Sequence, residues 1–435
     1  MTPILLIGNG AREHAIAEAF KKNENAKLYS FMKARNPGIE KLSEKIQIGS
    51  YSDIDAIKLF ALNVKADFAF IGPEEPLANG VADALEGIGV PCVGPKQKLA
   101  QLETSKSFTR NLLEKYHISG NPKFKIFNNK NKNEIKKFLD TLPAVVVKPD
   151  GLTGGKGVKV QGDHFQAKDE ALKYCEEALL THNSVVVEEK MDGVEFSLQC
   201  LTDGKTVVLT PPAQDHKRAY EDDKGPNTGG MGSYSAENHL LPFLKKEHVN
   251  EALKITKQVA QALYLELKQH YKGVMYGGFI ITKDGVKLVE YNARFGDPEA
   301  MNILPIMKTD FVAVCEAIID QKLDSIEVEF ENKATVLKYA VPKGYPDAPV
   351  KDRIAVMEIP KEARLYYASV DERADGLYMT GSRAIGLLGI GNTIAEAEKI
   401  AEKATEAVKG NVFHRKDIGT EELIGKRVRK ALSFK

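Results

Sequence analysis

Residues 3–7 form an unbroken apolar run that stops at Gly8-Asn9-Gly10, and Arg12 to Lys22 then has helical spacing. Further apolar runs at 27–32, 67–71 and 90–93 alternate with helical stretches near 53–63 and 79–87. Short apolar strands alternating with helices predict a doubly wound α/β layer on a parallel sheet, with ligands beyond the carboxyl ends of its strands. From about Thr104 the pattern changes. A helix over 104–116 leads into short strands at 144–148, 157–161, 184–189, 194–201 and 205–210, punctuated by Asp192-Gly193 and Asp203-Gly204. Residues 211–235 have little periodicity and many glycines and polar groups, the composition of a functional or a disordered loop. A helix over 246–270 precedes a hairpin, 276–283 and 286–291, that turns at Lys283-Asp284-Gly285. The C-terminal part begins with a strand at 334–341, and Thr393 to Glu396 is a capping box opening a helix to about Val408. The pattern thus predicts an α/β and α+β multidomain chain: an N-terminal parallel-sheet domain (1–104), a central domain (105–330) and a C-terminal α+β domain (331–435).

Composition narrows the class. The 435 residues are 43% hydrophobic and 28% charged, which excludes a disordered or collagenous chain. With 61 basic and 60 acidic side chains the formal charge is +1, without the footprint of a dedicated nucleic-acid binder, although local basic pockets average away in such a sum. No apolar run approaches the ~20 residues of a membrane helix, and the initial apolar stretch is short for a signal peptide. Cys92, Cys175, Cys200 and Cys315 lie far apart, forming neither a zinc pattern nor a disulfide framework. Buried thiols in a reducing, cytoplasmic setting are expected.

Five segments carry candidate chemistry. Gly8-Asn9-Gly10 between a strand and a helix is half of a dinucleotide fingerprint, but Glu13 replaces its third glycine. A phosphate-bearing ligand met by Asn9, Gly10 and Arg12, a structural turn, and a redox dinucleotide remain open. Glu74, in Gly72-Pro73-Glu74-Glu75, follows another strand at the same sheet edge and suits sugar hydroxyls or a helix N-terminus. Lys148 ends a strand, and Gly154-Gly155-Lys156-Gly157 then forms a glycine-rich turn suited to phosphates; it is no Walker A loop, because Gly157 stands where Ser or Thr would. Glu188, Glu189, Lys190 and Glu195 surround a strand end able to offer backbone to adenine and carboxylates to ribose, or simply to face solvent. Glu290 and Asn292 are two apart on a strand and so share a face, offering oxygens to magnesium. Arg294 beyond them suits a carboxylate or phosphate, and Asp297-Pro298 reads as a helix cap and first turn.

In this order the segments resemble the ATP-grasp ligases, and among them the glycinamide ribonucleotide synthetase family. Gly8–Ala15, Gln214–Arg218, Gly225–Gly232 and Arg294–Glu299 carry the likeness, which runs to about Gly419. The resemblance implies a central ATP-grasp domain with a mobile lid over about 124–193. It implies that ATP, glycine and 5-phosphoribosylamine become ADP, phosphate and glycinamide ribonucleotide through glycyl phosphate, in purine biosynthesis; another ATP-grasp carboxylate–amine ligase is the alternative. By the same likeness Lys106 and Lys148 contact ATP phosphates, with Gly154 to Gly157 as a flap, Glu188 to Lys190 at adenine and Glu195 at ribose. Glu290 and Asn292 hold Mg²⁺ or Mn²⁺. Arg294, Lys148 and Asp215 are the catalytic candidates. Asp215, Lys217, Arg294, Gly296 and Asp297 meet glycine and phosphate, and Asn9 to Arg12 with Glu74 receive phosphoribosylamine. A monomer acting on small molecules, with no nucleic-acid or membrane partner, is implied. Three positions depart from the wider pattern: Gly278 on the first hairpin strand, Asn36-Pro37-Gly38, and Thr380-Gly381-Ser382-Arg383.

Overall fold

The structure is a computed structural model that describes residues 1–152 and 157–434. Five parallel strands form the N-terminal sheet in the order Lys45–Ile48, Ala26–Met32, Thr2–Ile7, Phe68–Ile71, Cys92–Val93. Ile4, Leu5, Leu6 and Ile7 are all fully buried, because helices cover both faces of the central strand. Lys45–Ile48 was not expected: it is an edge strand, half of it polar, so it lacks the apolar run that marks its neighbours.

A four-stranded antiparallel sheet follows the order Val207–Leu209, Val194–Thr202, Gly273–Thr282, Gly285–Asn292. The Lys246–Leu267 helix packs on one of its faces, where Thr256 Oγ1 lies 3.0 Å from the Tyr291 hydroxyl. Side chains alternate across a strand, so Glu290 and Asn292 point to the opposite face. Registry places Ser197, Gly278 and Glu290 in one cross-strand row there, and Gln199, Tyr276 and Asn292 in the next.

A separate antiparallel sheet, Phe124–Phe127, Val185–Glu189, Val145–Pro149 and Lys159–Val160, has its own apolar cluster around Phe127, Leu139, Val147, Cys175 and Val187. The C-terminal sheet runs Gln214–Asp215, Gly232–Ser235, Ala334–Pro342, Ile385–Gly391, Ala363–Tyr367 and crosses the boundary expected at 331. The stretch 211–235, unpatterned in sequence, thus supplies two of its strands. Gly232 is required there, because a Cβ would run into the Leu337 carbonyl.

The N- and C-terminal regions meet at His14. Its ring stacks on Tyr367 at 5.8 Å, and its Nδ1 accepts from Tyr367 N at 3.0 Å. Asn36 caps the Pro37–Leu42 helix and donates from Nδ2 to Asn9 O and Tyr367 O, while Gly38 leaves room for the imidazole. All four cysteines are buried and free.

Candidate active site

The ligand face of the hairpin sheet is ringed by lysines. Lys217 Nζ lies 3.1 Å from Glu290 Oε1. Lys217 holds the Glu290 carboxyl down to about 2 against the upward push of burial, with Lys148 and Lys106 pulling the same way. Lys106, at the start of the Lys106–Lys115 helix, donates to Gly151 O at 2.7 Å, and burial lowers its ammonium pKa. Lys148 donates to Val289 O at 3.0 Å and pairs with Glu188 at 2.8 Å. Glu188 was expected at adenine. Its carboxylate is buried in an ionic triad, gripped by Arg110 at 2.6 and 3.0 Å as well as by Lys148, which leaves the strand's backbone for adenine. Arg110 also donates to Leu288 O and Val289 O, tying this triad to the Glu290 strand.

At the N-terminal sheet edge, the expected anion at the first helix is a side chain of the chain itself. Glu13 Oε2 accepts from Gly10 N at 2.7 Å and Oε1 lies 2.5 Å from Arg12 Nε. Gly8 and Gly72 surround that buried carboxylate so closely that a Cβ at either would collide with it. These two glycines make room for Glu13, as in the structural turn that the sequence left open. Arg12 Nη1 reaches Phe295 O at 3.1 Å, and Asn9 Oδ1 accepts from the Tyr51 hydroxyl at 2.5 Å. Arg294 lies 3.3 Å from Glu74 and 2.8 Å from Glu103. Burial would raise Glu74, but Arg294 and Arg12 outweigh it and bring the carboxyl to about 2.

The third wall comes from the 214–232 segment and the loop after Arg294. Burial and the charge of Glu299 push the Asp215 carboxyl well up, against Lys217 and Arg383. Gly296 donates to Gln199 Oε1 at 2.7 Å, and Glu299 Oε1 accepts from the Tyr276 hydroxyl at 2.8 Å. Asp297 does not cap a helix, because the following helix starts at Ala300. It is taken instead by the buried Tyr339 hydroxyl at 2.6 Å and by Arg383 at 3.2 Å. Arg383 also donates to Gly229 O and Gly230 O, at 2.7 and 3.0 Å, so the Thr380–Arg383 departure supplies the clamp on the glycine loop.

The remaining predicted residues make contacts of their own and, with the charge of Glu290, that of Glu195 raises the Lys217 pKa. Glu189 Oε1 accepts from Lys123 N at 2.8 Å, Lys190 donates to Gln161 O at 2.7 Å, and Glu195 is exposed. Gly157 O accepts from the Tyr174 hydroxyl at 2.8 Å, whereas Gly154, Gly155 and Lys156 lie outside the described residues. Sequence reasoning missed Glu103, Arg110 and Gln199, each on an ordinary helix or strand, and gave Glu299 a place in a motif but no role. Arg383 stands out in the sequence only as the end of the Thr380–Arg383 departure.

Among the described residues no group of three or more His, Cys, Asp or Glu could hold a metal ion alone. Glu290 and Asn292 nevertheless fit the pattern of a hard cation held by two protein oxygens plus substrate phosphates. Among the described residues, no helix is long and apolar enough to cross a membrane.

Comparison with known proteins agrees along the whole chain. The N domain of phosphoribosylglycinamide synthetase matches residues 2–103, its ATP-grasp domain 104–300 and its C domain 335–421. The phosphoribosylamine–glycine ligase of Methanocaldococcus jannaschii is 54% identical, and that of Methanococcus maripaludis 52%, each covering 98% of both chains. The solved phosphoribosylamine–glycine ligase of Thermotoga maritima has a TM-score of 0.80 at 26% identity, covering 96% of this chain and 100% of that one. A biotin carboxylase domain from Hydrogenobacter thermophilus shares the fold, with a TM-score of 0.76 at 15% identity. Three domain matches in sequence order and relatives matched end to end lead to one conclusion: the chain belongs to the phosphoribosylglycinamide synthetase family of ATP-grasp enzymes.

Proposed function

We propose that the chain joins glycine to 5-phosphoribosylamine at the expense of ATP, giving glycinamide ribonucleotide, ADP and phosphate. Hydroxide is a poor leaving group, so the glycine carboxylate must first be activated. A carboxylate oxygen attacks the γ-phosphorus and ADP leaves; the amine then attacks the acyl carbon of glycyl phosphate and phosphate leaves. This needs no protein nucleophile, only positioning and charge stabilisation. Lys106 and Lys148 would neutralise the ATP phosphates, Lys217 the transferred phosphoryl, and Arg294 the carboxylate or phosphoryl. Mg²⁺ or Mn²⁺ held by Glu290 and Asn292 would offset charge on the phosphates. The sheet over 124–189, which carries Lys148, would close over the nucleotide and exclude water from the acyl phosphate. Asn9, Arg12 and Glu74 would face phosphoribosylamine.

The observation that carries this reading is the placement of Glu290 and Asn292 on one sheet face, with Lys217 3.1 Å from Glu290 and Lys148 bonded to Val289 O next to it. The test is coupled ADP release with glycine and phosphoribosylamine omitted in turn. Dependence on both is expected. Release that needs another amino acid or bicarbonate instead would identify a different ligase of the same superfamily.

A further inference from the structure

Gln199 is 1% exposed and stands on the ligand face, in the cross-strand row of Tyr276 and Asn292. Its Oε1 accepts from Gly296 N at 2.7 Å. Its Nε2 donor has no hydrogen-bond partner among the described residues. Asp215 has the opposite deficit: its buried Oδ1 has no partner among them. Both residues border one short segment. Gln199 holds Gly296, and a Cβ at Gly230 would lie 2.6 Å from Asp215 Oδ1 and 2.7 Å from Pro298 Cδ. Glu299 belongs to the same segment and is bonded to Tyr276, the row neighbour of Gln199.

A buried donor and a buried acceptor are each unfavourable when unpaired. Bordering one loop, they suit a ligand with an acceptor at one end and a donor at the other. A small amino-acid zwitterion has that form. Glu74 and Glu103 already offset the charge of Arg294, whose Nε is, like Gln199 Nε2, a buried donor without a hydrogen-bond partner among the described residues, so the two side chains would share the carboxylate. A neutral amide adds a donor without adding a further cation. We propose that Gln199 is a specificity-determining residue for the amino-acid substrate: Nε2 donates to its carboxylate while Asp215 accepts from its ammonium. This rests on the ligase reading above.

Kinetics of full-length Gln199→Glu and Gln199→Met, with glycine, ATP and phosphoribosylamine varied separately, test it. Glutamate keeps an oxygen for Gly296 N–H and replaces the donor by an anion. The expected result is a folded protein with a lowered thermal midpoint, because a carboxylate is now buried beside Glu299 and Asp215, a glycine KM raised about tenfold or more, and the other two KM values within about twofold. Methionine should shift glycine KM the same way by a smaller factor. A folded Gln199→Glu with unchanged glycine KM overturns the assignment, as does an equal rise in all three values. Should neither variant fold, competition in the wild type decides: glycinamide, which lacks the carboxylate, must bind about tenfold more weakly than glycine, and equal binding overturns the proposal. Wild-type ADP release that ignores glycine would instead fail the ligase reading itself.

Discussion

Lys217 sets its ammonium 3.1 Å from the Glu290 carboxylate, on the sheet face that Glu290 shares with Asn292. The pairing raises the lysine pKa and lowers that of the carboxylate. A divalent cation arriving at Glu290 must therefore compete with a resident cation, and Lys217 is set free when it succeeds. Glu290→Gln keeps an oxygen but loses the charge that a hard cation selects. It should raise the Mg²⁺ concentration for half-maximal ADP release about tenfold or more. An unchanged metal titration would remove Glu290 from the metal site.

Arg294 has a structural task as well as a chemical one. Its side chain, 16% exposed, neutralises Glu103 at 2.8 Å, and Glu103 is 5% exposed. Arg294→Ala strands that carboxylate and should cost about 3–5 kcal/mol of stability, enough to confuse a kinetic result. Arg294→Lys keeps the charge and loses the planar fork. It should fold, melt near wild type, and lower kcat by about 10²–10³-fold. Near-normal turnover in that variant would exclude the guanidinium from the reaction.

His14 makes the junction between the N- and C-terminal regions sensitive to acid. Burial first, and then the charge of Lys41, lower its pKa from 6.5 to about 4. Nδ1 accepts from Tyr367 N, so protonation there removes an acceptor as well as burying a charge. The unfolded chain takes up this proton at higher pH than the folded chain. The stabilisation is therefore complete above about pH 6.5 and declines as pH falls towards 4, by on the order of 3 kcal/mol. Thermal melts at pH 7 and pH 5 should differ more for wild type than for His14→Phe. Parallel pH profiles for the two would show that another group is responsible.

These residues show what a sequence makes visible. The 3–7 run was legible because a strand buried on both faces is apolar throughout, and Glu290 with Asn292 because a spacing of two on a strand needs no tertiary information. Strand Gly232–Ser235 was hidden: its long partner starts at Ala334, its near partner is only the two residues Gln214–Asp215, and nothing local encodes either pairing. Asp297-Pro298 misled because cap propensity is local, whereas Tyr339 and Arg383 arrive from the C-terminal sheet. Glu103, Arg110 and Gln199 acquire their roles only by contact with residues 78 to 190 positions away.

Arg110 gives the most direct test of how the nucleotide lysine is held. Its guanidinium grips Glu188 through two bonds and reaches Leu288 O and Val289 O, while Lys148 shares both Glu188 and Val289 O. Both partners of the Arg110–Glu188 pair are almost fully buried, at 3% and 2% exposure. Arg110→Met leaves Glu188 to Lys148 alone and should cost about 3–5 kcal/mol, read as a lowered thermal midpoint. Arg110→Lys retains a charge but cannot make the paired bonds to Glu188 together with both carbonyl contacts. Its Lys148 should be drawn towards the carboxylate and away from phosphate. The expected result is a folded protein whose ATP KM rises several-fold while glycine KM holds. A melting temperature for Arg110→Met equal to wild type would show that the triad does not support the fold. An unchanged ATP KM in Arg110→Lys would show that Lys148 is positioned without it.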